Sequence, residues 1–138
     1  MPAGAGPQVA KATGTSVTAA EVVVATITGS WQQPPGQVGV SGNLIGVSVN
    51  FTPGASQTLL TLRVRQGTTT GGTLVGIAHP ETTVAAVQAD WSFEEFDSTA
   101  YAQAGAAQSY VLTAQENAAG PGTVNEAILT LETSSTVA

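Results

Sequence analysis

Residues 43–66, NLIGVSVNFTPGASQTLLTLRVRQ, decide the fold. Val47, Val49 and Phe51 alternate with Ser48, Asn50 and Thr52, and Leu60, Leu62 and Val64 alternate with Thr61, Arg63 and Arg65. A period of two means that one face of each segment is buried and the other is wet. Pro53-Gly54 between them is a strong turn signal. The stretch therefore predicts two extended strands, over residues 43–52 and 57–66.

The same grammar continues on both sides. Residues 20–28, AEVVVATIT, are rich in β-branched side chains, which suit a pleated and half-buried surface. Residues 29–39 read as a loop, with Trp31 near its start and Pro34-Pro35-Gly36 ending any pairing. Beyond residue 66, a threonine- and glycine-rich return leads to a short strand over 73–78 that ends at His79-Pro80. Residues 82–96 read as one long strand, bent near Ala85-Ala86, with Trp91 and Phe93 on one face and Ser92 and Glu94 on the other. A small-residue connection over 97–108, with a short helical turn, precedes strands at 109–117 and 123–133.

That gives seven strands, and an eighth is available at 38–40 or in the N-terminal segment. Turn signals at this spacing, without intervening helices, predict an all-β chain: an antiparallel β-sandwich of jelly-roll or Greek-key type. Residues 1–18 are dominated by Ala, Gly, Thr and Pro. They bury too little to offset their own ordering entropy, so the reading is a flexible N-terminal arm over 1–18 and a sandwich domain over 19–138.

At 138 residues, the chain is long enough to bury about two-thirds of its unfolded surface. Apolar residues make up 42% but charged residues only 9%, against an average of about 25%. The wet faces are thus neutral and polar. The net charge is −6, with Lys11, Arg63 and Arg65 as the basic side chains. Three cations build no phosphate-binding patch, so neither nucleic acid nor an anionic membrane is expected as a partner. There is no cysteine, which removes disulfides, thiolate metal sites and a cysteine nucleophile. The first residues lack the basic and apolar stretches of a signal peptide, so synthesis in the cytoplasm is expected.

Little in the sequence resembles catalytic chemistry. His79 is the sole histidine; it precedes a proline in an expected loop and reads as exposed and incidental. Glu94, Glu95 and Asp97 form the densest acidic group, near Trp91, Phe93 and Phe96. A carboxylate pair beside aromatics suggests sugar cleavage. Adjacent strand residues point to opposite faces, however, so Glu94 and Glu95 do not form such a pair. The acidic group reads instead as a solvated strand end near Arg63 or Arg65. No serine sits in a nucleophile elbow, and no spacing suits calcium. The expectation is a protein that is not an enzyme and has no catalytic residue, cofactor or metal.

Three residues stand out as candidate intersubunit contacts. Arg63 and Arg65 share a face of their strand, where they either pair with a glutamate across the sheet or form an ion pair between subunits. Trp31, beside Gln32 and Gln33, suits a subunit contact or a sugar-stacking surface.

The block at 43–67 and the C-terminal hairpin SYVLTAQENAAGPGTVNEAILTLE at 109–132 together resemble the small jelly-roll domains of tailed-phage virions. These are the capsid decoration (cement) proteins and fibre-head modules. The resemblance is one of pattern over residues 20–132. It implies a homotrimer on the outer surface of a bacteriophage capsid, with the major capsid protein as partner. There it would bridge neighbouring capsomers as a decoration or minor capsid protein, its N-terminal arm reaching an adjacent subunit. The alternative is a carbohydrate- or receptor-binding fibre-head or adhesin module.

Overall fold

A computed structural model describes residues 8–30, 37–98 and 107–137. Among these residues the chain forms nine strands: β1 (Gln8–Ala12), β2 (Thr15–Val17), β3 (Val22–Ser30), β4 (Gln37–Thr52), β5 (Leu59–Gln66), β6 (Leu74–Thr82), β7 (Ala89–Asp97), β8 (Ala107–Glu116) and β9 (Gly122–Val137). They build two antiparallel sheets. The front sheet has the order β1-β9-β4-β7, with β2 also on β9, and the back sheet has the order β3-β8-β5-β6. β1 and β2 share one position beside β9, interrupted around Gly14. Counted that way, eight strand positions form two four-stranded layers, and the chain passes between the layers at almost every connection. This is a jelly roll.

The alternation read from the sequence fills the core. Ile45, Val47, Val49 and Phe51 of β4 and Leu129 and Leu131 of β9 face Leu60, Leu62 and Val64 of β5 and Tyr110, Leu112 and Ala114 of β8. Replacing a fully buried leucine such as Leu62 by alanine would cost about 2–5 kcal/mol.

The structure departs from the sequence reading in three places. Residues 8–17, read as part of a flexible arm, are paired with β9 from Gln8↔Leu131 to Val17↔Gly122. Backbone hydrogen bonds to an existing strand, together with the full burial of Val17, supply what the weakly apolar sequence does not. Residues 82–96 are not one bent strand. A turn around Ala85-Ala86 carries the chain from β6 in the back sheet to β7 in the front sheet. Ala86 holds φ of 62°, a left-handed conformation that its residue type does not advertise.

His79 and Pro80, read as a loop, lie inside β6. The strand is the outer edge of the back sheet, where a proline costs no ladder bond if its missing N–H faces away. The edge is also irregular. Its register against β5 slips between Leu62 and Val64, and Gly76 there takes φ of +70°.

Candidate functional site

The ionic groups come first, because the sequence singled them out. Arg63 and Arg65 lie on the outer face of the back sheet, and both turn to one carboxylate of their own chain. Arg65 donates from Nε and Nη2 to the two oxygens of Glu21, at 2.6 and 3.0 Å. Arg63 Nη1 lies 3.5 Å from Glu21 and donates to Gln115 at 3.0 Å. Thr113, fully buried, adds a hydroxyl donor to Glu21. The hydrogen bond from Arg65 holds the Glu21 carboxyl below its ordinary value, against the opposing effect of burial. The same bond raises Arg65. Glu21 sits just before β3, two strands away from β5, a pairing that no sequence spacing reveals. Trp31, the third candidate, lies outside the described residues.

His79 is neither free nor exposed. Its ring stacks on Phe93 at 3.7 Å, and Nε2 lies 2.7 Å from Glu95 Oε2. Glu95 also accepts the Ile77 backbone N–H. These groups close the seam where the edge strands β6 and β7 of the two sheets meet. Glu94, on the opposite face of β7, is exposed, as alternation requires. Asp97 is buried rather than solvated, and neither it nor Glu95 contacts Arg63 or Arg65. Asp97 accepts hydrogen bonds from the Tyr110 hydroxyl at 2.5 Å and from Gln66 at 2.9 Å. Among the described residues, no group of three His, Asp or Glu side chains is placed to hold a metal.

The surface that the sequence did not single out is one end of the sandwich. Four connections gather there: residues 18–21, 53–58, 83–88 and 117–121. Two buried polar side chains tie them together. Gln57 accepts the Gly54 N–H and donates to the carbonyls of Val17 and Ala118. Glu116 accepts from Leu59 N–H, Asn117 N–H and the Thr83 hydroxyl. Backbone bonds from Ala86 to Pro53 and from Thr83 to Thr58 fasten the third connection to the second.

The result is a tied platform in which Gln57, Thr83 and Glu116 are turned inward. Its exposed side chains are mostly small or apolar, with Val84 61% and Val87 54% exposed, and Ser56, Thr58, Gln88 and Asn117 are exposed beside them. Apart from Glu21, which is held by its arginines, these four connections contain no charged residue. An uncharged end that displays two valines among small and neutral polar side chains is a surface suited to contact with another protein.

The sandwich recurs in solved structures at low identity. Dimeric latent PorU from Porphyromonas gingivalis matches with a TM-score of 0.53 and 9% identity, over 98% of this chain and 13% of that one. What is shared is the fold. A chain of the infectious bursal disease virus Gx strain matches at 0.47 and 12% identity, over 93% of this chain and 33% of that one. A chain of the Bacillus endospore appendages, described as disulfide-linked pili, matches at 0.43 and 14%, over 96% and 90%. This chain spans well under half of the PorU and viral chains. No protein-family model matches the sequence, and no curated protein does.

Proposed function

We propose that this chain is a non-catalytic structural protein of a virion's outer surface, which works by contact with copies of itself and with the shell beneath. The observation that carries the reading is the uncharged platform of four loops, which displays Val84 and Val87 and is held by Gln57 and Glu116 within. Val84 and Val87 have no folding reason to be displayed on it, and burying two such side chains against a partner is worth about 3–6 kcal/mol before association costs.

Charge favours a second copy as the occupant. Two chains of net charge −6 repel where their carboxylates meet, and the four connections at this end carry no charge but the paired Glu21. The role is that of a decoration or minor capsid protein, trimeric, bridging capsomers built from the major capsid protein. The resemblance of residues 20–132 to tailed-phage jelly rolls supports that role.

The test is association of the purified chain and of Val84→Asp/Val87→Asp, followed by sedimentation velocity across micromolar concentrations. The wild type should form a discrete oligomer, and the double variant should remain a folded monomer. A wild type that is monomeric at all concentrations and does not bind intact shells would end the proposal.

A further inference from the structure

The outer face of the front sheet holds a different feature. β4 runs between β9 and β7, and its outward positions at the middle of the strand are Gly46 and Ser48. Beside them stand Thr130 and Ile128 on β9 and Glu94 and Ser92 on β7. A low floor between two taller walls makes a trough, an open depression of about 450 Å³ lined by these six residues and the neighbouring backbone.

Gly46 accommodates its neighbour on β9. It is not one of the glycines with positive φ, and glycine in a central strand weakens the sheet. A Cβ at this position would run into the Thr130 hydroxyl, so the glycine lets that hydroxyl lie over the strand and form part of the floor. That close approach of Thr130 accounts for a glycine inside the strand.

We propose that this trough binds a neutral oligosaccharide. The hydroxyls of Ser48, Ser92 and Thr130 both donate and accept, and the Glu94 carboxylate accepts from paired hydroxyl groups. Ile128 offers an apolar wall to the C–H face of a sugar ring. Along β7 the same face reaches Phe96, 49% exposed, whose ring lies over Gly42 and provides a second such platform.

Charge selects against acidic glycans. Asp90, Glu94 and Glu126 share this face, whereas its cation Lys11 lies 2.9 Å from Glu126. From Asp90 to Phe96 the face extends about 20 Å, enough for a short run of sugar units. An extended peptide fits less well, because strand addition would engage the backbone at the free edge of β7 and not the outward side chains that line the trough.

The test is titration of the ¹⁵N-labelled full chain with neutral hexasaccharides (malto-, cello-, manno- and xylo- series) to millimolar concentration, read by amide chemical shifts. One series should give saturable shifts centred on Gly46, Ser48, Ser92, Glu94 and Thr130. Ser48→Leu, which raises the floor at an exposed position, should weaken that binding at least tenfold while leaving the remaining spectrum and Tm unchanged. Glu94→Gln should weaken it severalfold.

No saturable shift with any series would overturn the inference, as would shifts confined to another surface or undiminished binding to Ser48→Leu. Sialylated or sulfated oligosaccharides binding as tightly as neutral ones would overturn it too. Neither result depends on whether the chain self-associates.

Discussion

The loop end of the sandwich and the outer face of the back sheet treat polarity in opposite ways. On the back sheet, Glu21, Arg63 and Arg65 are laid over Val111 and Thr113, which are fully buried although they point away from the core. Charge there is a lid over β8. At the loop end, Gln57 and Glu116 are drawn inside to hold the connections, and Val84 and Val87 are left outside. One surface is closed by its own chain; the other leaves apolar side chains open to solvent. On the back sheet, charge thus marks surface closed within the chain.

That contrast breaks most visibly if the internal polar groups are removed. Glu116→Ala strands two backbone N–H groups and the Thr83 hydroxyl, and should cost about 2–4 kcal/mol in urea unfolding. Gln57→Ala should behave similarly, since it frees Gly54 N–H and two carbonyls. If either variant unfolds at the wild-type midpoint, the platform is not held as described.

Glu21→Gln should cost less, about 1–2 kcal/mol, because the pair is partly reached by water. It also carries a pH signature. The folded carboxyl titrates below its ordinary value, so its stabilisation is complete above that value and disappears as pH falls through the lower, folded one. Thermal melts of the wild type between pH 7 and pH 3 should therefore show an acid loss that is smaller in Glu21→Gln.

Val84→Asp and Val87→Asp should sharpen the contrast in the other direction. Their effect on the stability of the monomer should stay within about 0.5 kcal/mol, while association is lost. Smallest of all, Ala86→Gly should raise the melting midpoint slightly, a gain of about 0.5 kcal/mol, by relieving a left-handed alanine.

Legibility followed the same division. Alternation in β4, β5, β8 and β9 was readable because each strand buries one face, and the jelly roll followed from strand number and connection. The platform was not readable. Val84-Ala85-Ala86-Val87 contains no glycine, proline or asparagine to announce a turn, so it passes for strand. Residues 8–17 hide for another reason: a strand added at the margin of a sheet draws on backbone bonds, which leave no trace in side-chain pattern. Glu21 and its arginines are brought together by sheet order alone. The trough needed the register of β4 against both neighbours before Gly46 and Ser48 became a floor.

The irregular rim along β6 has a consequence for how copies of the chain can meet. Pro80 removes one donor, and the slip around Gly76 twists the strand out of line, so no neighbour can zip onto it residue by residue. Fibrillar stacking is thereby blocked on that flank, and dense packing of the chain does not pass into amyloid from there.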